Sequence, residues 1–219
     1  MRWLVNARRH PSALLLLAQL AALLAYPFIE NTHGGRAVLG ALGALVLGLA
    51  IWMVHRTPGR AWISVGLAVP AVGLNTLEIG FDQYQLLPWS AALEALFYFY
   101  AAGCLIAYMS ADRRATTDEL FAAGATFTLL VWAFTYLFVV CQALQPGSFT
   151  ATVDPAGPRR WTELLFLSFA LLSSTGIGDV IPVTVHARSL ASLEMFTGVM
   201  YLALVVSRLI GLTLAPREK

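Results

Sequence analysis

The sequence is nearly without lysine: Lys219 is the only one, and charged residues make up 12% of the 219 positions. Soluble domains carry about 25%, so this chain has too few charges to solvate a globular surface. The 13 arginines form no basic run and the net charge is only +2, which excludes the basic footprint of a nucleic-acid partner. Cysteine is scarce as well. Cys104 and Cys141 both fall in apolar segments, so they read as packed thiols and exclude a disulfide framework. No Lys or Arg occurs between Arg60 and Arg113. What the chain has in quantity is apolar surface: 58% hydrophobic residues and a mean hydropathy of +0.72. That composition predicts an integral membrane protein.

A membrane-crossing helix needs about 20 apolar residues. Six segments meet this: Ser12–Phe28, Ala37–Val54, Ala61–Ile79, Trp89–Tyr108, Leu120–Cys141 and Leu190–Leu214. The apolar run Trp161–Ser173 is too short to cross and predicts a re-entrant helix buried in protein. Arg8 and Arg9 precede the first apolar core as in a signal peptide, but the segment is expected to be retained as the first span. With the N-terminus in the cytoplasm, ten of the 14 basic residues lie inside, and Arg36, Arg159, Arg160 and Arg188 lie outside. The positive-inside rule therefore places both termini in the cytoplasm and opens the re-entrant run to the outside.

The fold class expected is an all-α membrane protein with six transmembrane helices and a re-entrant helix and loop between helices five and six. Residues 1–115 form a four-helix module, and 116–219 hold helix, long loop, short helix, glycine-containing turn and final helix. Gly40, Ala44 and Gly48 form a small-residue stripe that permits close helix contact. Pro70 is expected to kink the third helix. The acidic residues Glu78, Asp82 and Glu94 lie toward the outer half and read mainly as headgroup-level or hydrogen-bonded groups.

The short helix runs into Ser174-Thr175-Gly176-Ile177-Gly178-Asp179-Val180-Ile181-Pro182. A cation leaves water only if oxygen atoms replace its hydration shell. Backbone carbonyls do so when consecutive residues point them at one axis, which requires ordinary and left-handed backbone angles in alternation. Glycine visits the left-handed region cheaply, and two glycines one residue apart suit that alternation. The short helix, entering from outside, also directs the negative end of its dipole toward the membrane middle.

This stretch resembles the filter motif Thr-Val-Gly-Tyr-Gly-Asp of the potassium channel family. The resemblance extends from Leu120 to Leu214 in the family's order of outer helix, pore helix, filter and inner helix. It implies a homotetrameric, passively conducting pore in the plasma membrane (a bacterial inner membrane by the arginine bias), with K+ or Na+ as the permeant ion, no enzymatic activity and no cofactor. By the same resemblance Ser174, Thr175, Gly176 and Ile177 supply carbonyl oxygens to K+, and Gly178 completes the filter. Asp179 helps hold the filter's shape, and Gly198, 20 residues after Gly178, stands where the family's inner-helix hinge falls. From the residues themselves, Phe166 and Leu167 are expected to support the filter by packing against Ile177, and Glu194 either by accepting hydrogen bonds from the pore-helix region or in a purely structural role.

The departures concern selectivity. Ser174 replaces threonine and keeps a hydroxyl, Thr175 replaces valine, Ile177 replaces the tyrosine whose phenol ties the filter to its surroundings, and Ala170 stands where some relatives carry glutamate. A weakly selective monovalent cation channel is the alternative. Replacing Thr175 with Val and Ile177 with Tyr together is expected to raise the potassium preference, although the Thr175 hydroxyl has two possible directions of effect. A remote alternative is an intramembrane aspartyl protease, which also uses Gly-x-Gly-Asp. That chemistry needs a second aspartate at the same depth, and Asp82, Asp112, Asp118 and Asp154 all lie in or beside polar connectors.

Overall fold

A backbone shielded from water must satisfy its own N–H and C=O groups, and a helix does so within one segment. In the computed structural model, which describes residues 11–29, 35–54, 61–81, 84–111 and 116–214, helix is accordingly the dominant structure. The helices are α1 (Pro11–Ile29), α2 (Gly35–Val54), α3 (Ala61–Phe81, with Pro70 inside it), α4 (Leu87–Met109), α5 (Thr117–Leu144), α6 (Trp161–Leu172), α7 (Val185–Tyr201) and α8 (Ser207–Leu214). A single 3-10 turn, Tyr84–Leu86, precedes α4, and a π-helical stretch, Leu202–Val206, joins α7 to α8. Among the described residues two helices, Leu87–Met109 and Thr117–Leu144, are long and apolar enough to cross a membrane.

One departure from the all-helical expectation is a small antiparallel sheet. Strand β1 (Phe149–Ala151) pairs with β2 (Val180–Pro182), setting Phe149 against Pro182, Thr150 against Ile181 and Ala151 against Val180. Sequence periodicity does not reveal three-residue strands whose partners are distant in the chain.

The chain forms two compact units. The first comprises Met1–Val65, Tyr100–Leu129 and Tyr201–Lys219; the second comprises Gly66–Phe99 and Leu130–Met200. In the first unit, α1 lies along the N-terminal half of α5. Asp118 accepts hydrogen bonds from the Ser12 backbone N–H at 3.1 Å and the Ser12 hydroxyl at 2.8 Å, which satisfies orphan donors at the start of α1. Further along, Leu16 packs against Gly124, and the Gln19 amide donates to the Ala125 carbonyl at 3.4 Å. The Tyr201 hydroxyl donates to the Ala123 carbonyl at 2.6 Å, and its ring meets that of Phe127. On α2 the buried face is Val46, Leu47, Ala50, Met53 and Val54, at helical spacing. The small-residue stripe does not make a close contact at Gly48, where an added Cβ would meet nothing within 4 Å. The side chains of Gly40's stripe partner Ala44 and of Glu78, and all of Asp82 and Asp112, lie outside the described residues.

In the second unit, one apolar core holds Ala91 of α4, Phe138, Val139 and Cys141 of α5, Phe149 and Ala151 of β1, Leu164 and Leu167 of α6, Val180 of β2, and Ala187 and Ala191 of α7. The short helix is thus packed by protein on several sides. Aromatic rings extend this core: Tyr98 stacks on Tyr136 and meets Trp132 edge-on, while Trp161 at the start of α6 contacts both Trp132 and Tyr136. The buried face of α7 in this unit is Ala187, Ala191, Glu194 and Gly198, spaced four, three and four residues apart, the repeat that keeps one helix face on a partner.

Candidate functional site

The site begins with α6. Its 12 residues give a length of about 18 Å at 1.5 Å per residue, well short of a bilayer core. Glu163 in the first turn accepts a hydrogen bond from the Arg160 backbone N–H at 2.7 Å and sits at the positive end of the helix dipole. At the other end, the carbonyls of Phe169, Ala170 and Leu171 face the turn that follows. The Ser173 N–H and hydroxyl both donate to the Phe169 carbonyl, at 3.1 and 2.6 Å, and the Ser174 N–H donates to Leu171 at 3.1 Å.

The Ala170 carbonyl holds the next stretch. It accepts from the Gly176 N–H at 3.1 Å and lies 3.3 Å from the Thr175 hydroxyl. Thr175 Oγ1 is also 3.0 Å from Ser173 Oγ. The Ser173 hydroxyl has one proton, and the 2.6 Å contact to Phe169 takes it, so the Thr175 proton is shared between Ser173 Oγ and the Ala170 carbonyl. The Thr175 hydroxyl thus points back at the short helix and ties the turn to it.

The backbone hand alternates through this turn. Ser174 has φ +59° and Gly176 φ +68°, while Thr175 and Ile177 have ordinary negative-side values. The expected alternation is present over four residues, with one difference from the glycine spacing: Ser174 takes the left-handed position and Gly178 does not. A left-handed angle at a residue with a Cβ costs about 1–2 kcal/mol, so Ser174 is held there by its surroundings. Such outliers concentrate at functional positions.

The remaining site residues fall into two groups. Leu167 is buried in the core beneath β1 and β2, whereas Phe166 and Ile177 are exposed in the single chain, at 44% and 57%. Asp179 is exposed, and its carboxylate makes no hydrogen bond among the described residues. Glu194 is fully buried and is hydrogen-bonded to the Ser168 hydroxyl of α6, which also lies 2.8 Å from the Val131 carbonyl of α5. Ser168 therefore joins three helices, and sequence reasoning did not single it out. Gly198 lies directly against the end of α6: a Cβ there would stand 2.1 Å from the Leu172 carbonyl oxygen. The departure from α-helical geometry comes after it, at Leu202–Val206.

The aspartates that a protease would need are engaged elsewhere or lie outside the described residues. Asp118 receives Ser12 and the Tyr108 hydroxyl. Asp154 closes a local turn by accepting from the Gly157 N–H at 3.2 Å.

A short helix packed into the apolar core thus ends at a turn of alternating backbone hand, between α5 and α7. A family model described as an ion channel matches residues 95–214, more than half of the chain, and the chain belongs to that ion channel family. The match begins inside α4, upstream of residue 116, and runs through α5, α6, the turn, α7 and α8. No curated protein and no solved structure matches the chain.

Proposed function

We propose that the protein is a potassium-type cation channel, four copies of which close one pore around Ser174, Thr175, Gly176, Ile177 and Gly178. The observation that carries this reading is the alternation of backbone hand from Ser174 to Ile177 at the carbonyl end of α6. That alternation turns successive carbonyls to one side, where they replace the hydration shell of a dehydrated cation. One chain supplies one strand of such a filter, and one strand cannot surround an ion. The exposed apolar residues Ile177, Leu193, Phe196 and Val199 provide a surface for neighbouring copies. In this reading the chain crosses the plasma membrane six times with both termini in the cytoplasm, and K+ is the preferred ion. Purified protein in a planar bilayer with potassium on one side and sodium on the other tests it. The expected result is cation current with a reversal potential favouring potassium, from an assembly of four chains. Absence of current, or a monomeric particle, overturns it.

The second reading, a weakly selective monovalent cation channel, is favoured by Ile177, which lacks the phenol of the full motif. The same recording distinguishes the two by the size of the reversal potential.

Open probability is expected to change little with voltage. Each elementary charge moved through 100 mV supplies about 2.3 kcal/mol, and residues 61–112 contain no Lys or Arg to move. A conductance–voltage curve as steep as several gating charges would contradict this.

A further inference from the structure

The proposed filter is tied at its inner end through Gly176 and Thr175 to the Ala170 carbonyl. Beyond Gly176, no hydrogen bond from the end of α6 reaches Ile177, Gly178 or Asp179 among the described residues, and β2 begins at Val180. The β1–β2 ladder is extended by the Val183 N–H, which donates to the Ser148 carbonyl at 2.8 Å. Ser148 itself is completely buried.

Its side chain is the middle of a directed hydrogen-bond chain. The Ala187 N–H, in the first turn of α7, donates to Thr184 Oγ1 at 3.4 Å. The Thr184 hydroxyl donates to Ser148 Oγ at 3.3 Å, and the Ser148 hydroxyl donates to the Gln145 carbonyl at 2.6 Å. The Thr184 hydroxyl gives one proton and receives one, while the Ser148 hydroxyl gives one and receives from Thr184 and, at 3.7 Å, from the Cys141 thiol. Gln145 directly follows α5, and its own N–H still bonds the Cys141 carbonyl. Gly147, with φ +81°, makes the sharp turn that brings the chain from Gln145 back to Ser148. The chain of bonds thus links the end of the outer helix, strand β1 and the start of the inner helix.

We infer that Ser148 and Thr184 are positioning residues for ion selectivity, holding the outer end of the filter from the extracellular side through β2. The inference rests on the channel reading above. In the full motif a tyrosine ties the filter from behind; Ile177 has no polar atom to do so. The strand pair and the Ser148–Thr184 bond restrain Ile177, Gly178 and Asp179 from their far end. Ser148 is fully buried and Thr184 half-buried, and displacing Thr184 from Ser148 leaves hydrogen-bonding groups unpaired.

The test compares Thr184→Val, which removes the hydroxyl at nearly constant volume, with Thr184→Ser, which keeps it. Both are made in the full chain, reconstituted, and read by the potassium-to-sodium permeability ratio alongside assembly size. Thr184→Val is expected to lower the ratio about fivefold, equivalent to about 1 kcal/mol, with assembly unchanged, while Thr184→Ser retains the wild-type ratio. Ser148→Ala is expected to act in the same direction. Combined with Thr184→Val it should lower the ratio less than the two separate effects would together, since both break one network. A conducting wild type whose ratio is unmoved by Thr184→Val overturns this inference and leaves the channel reading intact. Equal losses in Thr184→Val and Thr184→Ser also overturn it, because they assign the effect to packing. A wild type that carries no current overturns the channel reading and this inference with it.

Discussion

Replacing Gly198 with alanine is expected to lower the melting temperature of the assembled protein and to abolish most of its ion flux. The added Cβ would stand 2.1 Å from the Leu172 carbonyl oxygen and 2.8 Å from its carbon. Both atoms are backbone at the end of α6, so no side chain can rotate away, and α6 and α7 must separate. Forced overpacking of this kind costs about 1–3 kcal/mol. Alanine's better helix propensity returns about 1 kcal/mol in an exposed helix, and a contact this short against backbone outweighs it. The strain falls where it matters, because the Ala170 carbonyl that holds Gly176 is half a turn before Leu172. The control is Gly103→Ala in α4, where an added Cβ meets nothing within 4 Å; it should be neutral or slightly stabilising. The same variant separates two roles of Gly198. A pure hinge would give unchanged stability with altered opening, whereas a packing contact gives lowered stability. A melting temperature at or above wild type would show that the two helices part without cost.

The second large effect is at Thr175. Thr175→Val is expected to lower the preference for potassium over sodium by about tenfold, a change of about 1.4 kcal/mol. Its hydroxyl proton is shared between Ser173 Oγ and the Ala170 carbonyl, at 3.0 and 3.3 Å, and valine removes both attachments. A neutral hydrogen bond contributes about 0.5–1.5 kcal/mol, and in the proposed tetramer the loss is repeated in every subunit. Thr175→Ser keeps the hydroxyl and should remain close to wild type. Ile177→Tyr alone is expected to raise the preference, since its hydroxyl supplies the polar tie that Ile177 lacks. The two substitutions therefore act in opposite directions, and the paired Thr175→Val, Ile177→Tyr variant is expected to gain less than Ile177→Tyr alone. Bi-ionic reversal potentials for the wild type and the four variants decide this. A Thr175→Val channel as selective as wild type would mean that the Gly176 N–H holds the filter's inner end without help.

Composition alone determined that this chain is a membrane protein, because a surface with so few charges has no stable arrangement in water. Hydropathy located the helices to within a few residues, since each is a local structure whose backbone bonds close within its own segment. The order Trp161–Leu172, Ser174–Asp179 and a final helix located the candidate filter, and the glycine at 176 indicated a left-handed turn before any coordinates. Tertiary structure decided what is non-local. Ser148 and Thr184 are 36 positions apart, and nothing in the sequence around either marks the partner. Strands β1 and β2 are too short to carry a periodicity, and their pairing depends on where Gly147 turns the chain. Ser174 takes a left-handed angle that its residue type disfavours, and Gly178 does not take one that it could; both outcomes depend on carbonyls at the end of α6. The role of Gly198 likewise required knowing what stands opposite it. A glycine in a helix is sequence information, whereas the Leu172 backbone lying against it is a property of the packed chain.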